Sequence, residues 1–97
     1  MLGAVPAEPD SHTWESYTRE LGVNLSRARH AAGLSQERVA QRAGIAANTY
    51  RQYEKGESRP GSPANLSLRN ALALSQAVGV PLAALLPGWD PDLTDDA

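Results

Sequence analysis

The chain has 97 residues, no cysteine, 5% aromatic residues and a formal net charge of −2. That length supports one modest core. The lack of cysteine excludes disulfides, Cys-based zinc sites and a thiol nucleophile, and it fits a reducing cytosol. No apolar run approaches the roughly 18–20 residues needed to span a bilayer. The first residues, Met1-Leu2-Gly3-Ala4-Val5-Pro6, lack the basic region and apolar stretch of a signal peptide, so a cytoplasmic protein with no membrane partner is expected.

The charge is unevenly distributed. Residues 1–18 carry Glu8, Asp10 and Glu15 and no Lys or Arg, and residues 90–97 carry Asp90, Asp92, Asp95 and Asp96. Between them lie all nine basic residues against four acids, a net +5. A basic middle flanked by acidic ends places the expected function in the middle.

Residues 1–12, with two prolines and no periodicity, are expected to be a flexible tail. Asp10 or Ser11 can cap the helix that follows. From about Thr13 to Ala32, Trp14, Tyr17, Leu21, Leu25, Ala28 and Ala32 recur at helical spacing and define one apolar face. Gly22 interrupts that helix at a cost of about 1 kcal/mol relative to Ala, which points to a close packing partner.

Ser35 is a good N-cap for a second helix, Gln36 to Ala43, with Val39, Ala40 and Ala43 inward and Gly44 as its stop. A third helix spans about Ala47 to Lys55 and ends at Gly56. Turning 100° per residue around a buried Tyr50 places Ala46, Tyr53 and Glu54 on the inward face and Asn48, Arg51, Gln52 and Lys55 on the opposite one. That outward face consists of amide, guanidinium, amide and ammonium, without a carboxylate.

Residues 57–65 read as a loop by composition. A fourth helix runs from Leu66 or Leu68 to Val78, with Leu68, Ala71, Leu72, Leu74 and Val78 as core candidates. A fifth spans Pro81 to Leu86, with Pro81 in its first turn and Leu82, Leu85 and Leu86 closing the core. Trp89 is placed to fold back ahead of an acidic tail, residues 90–97. No strand pattern or internal repeat appears, so the expected class is all-α with five helices.

Leu34 to Gly56 resembles the helix-turn-helix of the phage-repressor and Cro-like (XRE) family. The matching residues are Leu34, Ser35, Gln36, Val39, Ala40, Gly44, Ile45, Thr49, Tyr50, Glu54 and Gly56. Flanking matches are Leu21-Gly22, Leu25, Arg29, Ala77-Val78-Gly79-Val80 and Leu85-Leu86. The resemblance implies a lambda-repressor-like fold over residues 13–89. It also implies double-stranded DNA as partner, with the third helix in the major groove and the second crossing the backbone. Carried over by position, Ala47, Asn48 and Gln52 face bases, while Gln36, Lys55 and Arg59 face phosphates. The helical wheel adds Arg51 to the base-facing set and agrees on Asn48, Gln52 and Lys55. The chemistry fits, because Asn or Gln pairs with adenine, Arg pairs with guanine and Lys neutralises phosphate. Arg29 and Glu54 match a partly buried ion pair between the first and third helices, and an unpaired inward carboxylate would be costly.

The sequence departs from the family at Ala46, which replaces the usual Ser or Thr cap, and at Ala47, which offers only an apolar contact. The expected function is a sequence-specific transcriptional regulator, bacterial or phage, acting as a homodimer with Leu82 to Trp89 as the dimer surface. The residues also fit the antitoxin of a toxin–antitoxin pair, or a protein-interaction module on the same fold. His12 and His30 have no partner at metal-ligand spacing, and no cofactor pocket, nucleophile–base pair, carboxylate dyad or phosphate loop is visible. Neither a metal, a cofactor nor an enzyme is expected.

Overall fold

The computed structural model describes residues 12–94. The flexible tail expected at 1–12 lies outside them except for His12, as do the last three residues of the acidic tail. The described elements are α1 (Trp14–Ala31), α2 (Gln36–Ala43), α3 (Ala47–Glu54), β1 (Glu57–Arg59), β2 (Ser62–Pro63), α4 (Leu68–Val78) and α5 (Leu82–Leu85). The order of helices is the expected one, and the helical limits fall within two residues of the sequence reading.

Local chemistry sets the helix starts. The caps weighed for α1, Asp10 and Ser11, lie outside the described residues. The cap is Thr13, whose hydroxyl accepts from the Ser16 N–H while the Ser16 hydroxyl accepts from the Thr13 N–H. Ser35 caps α2 by accepting from the Arg38 N–H, and Ser67 caps α4 by accepting from the Asn70 N–H. Pro81 is the cap of α5 rather than its first helical residue.

The core is built from Leu21 and Leu25 of α1, Val39, Ala40 and Ala43 of α2, Tyr50 and Tyr53 of α3, and Leu74, Ala77 and Val78 of α4, with Ala64 and Leu85. Thus α2 packs against α3 and α4, while α1 packs against α3 and α5. Two polar side chains are buried with it. The Thr18 hydroxyl donates to the Glu15 carbonyl and the Ser75 hydroxyl to the Leu72 carbonyl, so neither leaves an unsatisfied group. Side-chain bonds tie the helices further: the Asn24 amide donates to the Leu85 carbonyl and the Arg42 guanidinium to the Ala77 carbonyl, at the C-terminal end of α4.

Three expectations are corrected. Residues 57–65 are not simply a loop, because β1 and β2 pair antiparallel with Arg59 opposite Ser62. The Asn65 N–H to the Ser58 hydroxyl and the Ala64 N–H to the Gly56 carbonyl close this hairpin and bury Ala64. Leu68 and Leu72 are exposed, whereas Leu74 and Val78 are buried as expected, together with Ser75 and Ala77. Leu86 is also exposed, because the helix ends at Leu85 and the chain turns extended at Leu86.

Trp89 folds back onto α1. Its ring meets Tyr17 edge-on at 5.3 Å and His12 at 4.7 Å, and its indole N–H donates to Glu20 over 3.0 Å. Trp14 stacks on Tyr17 at 5.6 Å, so an aromatic cluster fastens the C-terminal segment to the start of α1. No helix among the described residues is long and apolar enough to cross a membrane.

Candidate nucleic-acid interface

The angle between α2 and α3 is fixed by the turn at Gly44. Gly44 adopts the left-handed conformation at φ 74°, which a side chain would strain. The Gly44 and Ile45 N–H groups then satisfy the last carbonyls of α2, including that of Ala40, and Ile45 packs on the core. Ala46 enters α3 with extended geometry but offers no side-chain bond to the free N–H groups of its first turn.

The inward face of α3 carries Tyr50 and Tyr53, both buried, and it ends on Glu54. The Glu54 carboxylate is a hub. Arg29 donates to it twice, from Nε at 2.6 Å and from Nη2 at 3.2 Å. The Tyr50 hydroxyl donates at 2.5 Å and the Gln36 amide at 2.9 Å. Arg29 also donates from Nη1 to the Leu34 carbonyl over 3.0 Å, so one guanidinium ties α1, the α1–α2 connection and α3 together. The pair is nearly out of solvent, with 12% and 9% of the Arg29 and Glu54 side chains exposed.

Burial alone would raise the Glu54 carboxyl, but hydrogen bonds from Arg29, Tyr50 and Gln36 outweigh it and hold the group below its ordinary range. The bond to Glu54 raises Arg29 in turn. Burial, reinforced by the same carboxylate, pushes the Tyr50 hydroxyl well up, so it stays a donor.

On the outward face Asn48 and Lys55 are exposed and Arg51 and Gln52 are half-buried. These four side chains share one side of α3 as the wheel requires, although Lys55 caps the helix rather than belonging to its last turn. Ala47 is half-buried against the core, which leaves only part of its methyl for an outside contact. Arg59 is exposed on β1, displayed by the hairpin that follows α3.

Three side chains are less free than the sequence suggested. Gln36 spends one amide donor on Glu54, leaving its second N–H and its carbonyl for anything outside. Gln52 has its carbonyl oxygen buried without a hydrogen-bond partner among the described residues. To grip an adenine with both ends of its amide, it must first turn that oxygen outward. Arg51 donates from Nη1 to Glu37 of α2 over 3.3 Å, so a carboxylate does stand beside the outward face, supplied by the neighbouring helix.

Sequence reasoning missed Glu37 and the Tyr50 hydroxyl. Tyr50 and Glu54 are four apart on one helical face, so their bond was legible from spacing. Glu37 and Arg51 lie on either side of the turn, and only the angle between the helices brings them together.

Comparison with known proteins fits this geometry. The family model described as a helix-turn-helix domain matches residues 20–86. The restriction-modification controller protein C.AhdI from Aeromonas hydrophila is 32% identical, with a TM-score of 0.62 over 71% of this chain and 96% of that one. The hypothetical transcription factor NHTF from Neisseria is 28% identical, with a TM-score of 0.64 over 87% of each chain. The DNA-binding domain of BldD is 28% identical, with a TM-score of 0.61 over 75% of this chain and 97% of that one. No curated protein matches the chain. With the motif, the helices that brace it and the family match in agreement, the chain belongs to the helix-turn-helix domain family, in its phage-repressor and Cro-like (XRE) branch.

Proposed function

We propose that this protein is a sequence-specific DNA-binding transcriptional regulator of the cytoplasm that acts as a homodimer, with α3 in the major groove of each half-site. The observation that carries this reading is the outward face of α3. Asn48, Arg51, Gln52 and Lys55 lie together on a helix whose opposite side is locked by Tyr50, Tyr53 and the Glu54 hub. A rigid helix bearing amide and guanidinium groups matches the donor and acceptor pattern of base edges. In this reading Asn48, Arg51 and Gln52 read bases and Ala47 touches a thymine methyl. Gln36, Lys55 and Arg59 hold phosphates, and residues 13–89 form the binding unit. The relatives whose names describe a controller, a transcription factor and a DNA-binding domain support the same class.

A single such domain contacts only one half-site, which favours two copies on a two-fold symmetric operator. Within Leu82 to Trp89, Leu85 and Trp89 are engaged on their own chain. Exposed Leu86, with Leu68 and Leu72 of α4, supplies apolar surface for the second copy.

Selection of binding sites from random duplex DNA with the full chain tests the reading. The expected product is an inverted repeat with half-sites about one helical turn apart. Enrichment of no sequence, with weak binding even at low salt, would move the protein to the class of interaction modules.

A further inference from the structure

We infer that Glu37 is a positioning residue for Arg51, setting that guanidinium to read a guanine and lowering affinity for DNA that lacks one. The inference rests on the DNA-binding reading above and deepens it. Glu37 is the second residue of α2, with 69% of its side chain exposed, and Arg51 reaches it from α3 over 3.3 Å. Two neighbouring cations are engaged elsewhere: Arg38 donates to the Gln41 side chain over 2.8 Å, and Arg29 is held by Glu54.

Two physical consequences follow. Arg51 is a long side chain whose freedom would have to be given up on binding, and a carboxylate that holds Nη1 removes part of that cost beforehand. With Nη1 engaged, the edge formed by Nε and Nη2 remains open, and two parallel N–H donors are what guanine O6 and N7 accept. An exposed carboxylate beside a DNA-facing helix also repels every phosphate backbone alike. Only a site that gives Arg51 its guanine recovers the loss, so the charge trades general affinity for discrimination.

The test is site selection and binding with the full chain, Glu37→Gln, Arg51→Ala and the double variant, after circular dichroism has shown that each is folded. Wild type should prefer guanine at one position of each half-site by roughly 10-fold or more. Glu37→Gln should bind random duplex several-fold more tightly at low salt while that single preference falls to about 3-fold or less. Arg51→Ala should abolish the preference, and the double variant should share that loss while binding random duplex more tightly than Arg51→Ala at low salt, because the Glu37 charge is gone. An unchanged guanine preference in Glu37→Gln would overturn the inference, as would a selected site in which no position depends on Arg51. In both cases DNA binding itself would stand. Failure of wild type to enrich any sequence would instead sink the DNA reading and this inference with it.

Discussion

The backbone carbonyl of Glu54 rests on the bare face of Gly22, where a Cβ would lie 2.5 Å from the Glu54 oxygen and 2.6 Å from that of Tyr53. The end of α3 therefore crosses α1 in backbone contact, and the hub on the Glu54 side chain sits beside that crossing. Replacing Gly22 with Ala gains about 1 kcal/mol of helix propensity. Both obstacles are backbone atoms, however, and overpacking of this kind costs about 1–3 kcal/mol. Gly22→Ala should thus be less stable in urea titration. A neutral or stabilised variant would show that α3 can move off α1.

Arg29 and Glu54 should behave as one unit. Breaking a buried ion pair by removing one partner costs about 3–5 kcal/mol, because the other charge is left without compensation. Arg29→Ala and Glu54→Ala should each approach that loss, and the double variant should lose clearly less than their sum. A double-mutant cycle with no coupling would remove the pair from the account.

The same hub makes stability depend on pH. The folded Glu54 carboxyl lies below its ordinary value, so its contribution is fully present above that value and is lost as pH falls through the lowered folded one. Wild type should lose more stability than Glu54→Gln between about pH 5 and about pH 3. Parallel loss in the two proteins, followed by urea midpoints, would place the acid sensitivity elsewhere.

Ala46 leaves the first turn of α3 without a side-chain acceptor, although its backbone already has cap geometry at φ −66° and ψ 142°. Ala46→Ser should therefore raise stability by about 1 kcal/mol in thermal or urea unfolding. No gain would mean that the free N–H groups already have an equivalent partner.

The parts of this fold that were legible in the sequence are those set by local chemistry. Ser35 and Gly44 bracket α2 at its observed limits, and the wheel placed Tyr50, Tyr53 and Glu54 inward without reference to any other helix. It also put Ala46 there, which is exposed because its backbone is extended ahead of the helix. Where tertiary packing decides, the reading failed. Leu68 and Leu72 share helical spacing with a core face, yet with α2 packed on α4 the core keeps Leu74 and Val78 of the expected set, adds Ala77 and leaves those two exposed. Strands of three and two residues around Pro60-Gly61 are too short to show an alternating pattern, so the hairpin read as a loop. Thr18 and Ser75 are buried because each bonds a carbonyl three residues back, which polarity scales do not register. The site divides in the same way. The outward set on α3 follows from periodicity, whereas the hold of Glu54 on Gln36 and of Glu37 on Arg51 requires α2 and α3 at their observed angle.

The central claim is that the outward face of α3 reads sequence, with Lys55 holding the backbone beside it. It is tested most directly by measuring affinity for the selected site and for random duplex across a range of salt concentrations, comparing Asn48→Ala/Gln52→Ala with Lys55→Ala. The base-facing double variant should lose preference for the selected site by roughly 10-fold or more, with little change in salt slope. Lys55→Ala should weaken both DNAs alike and reduce the salt slope by about 1. Equal, sequence-independent losses in the two variants would contradict the account, because they would make α3 a basic surface and not a reader.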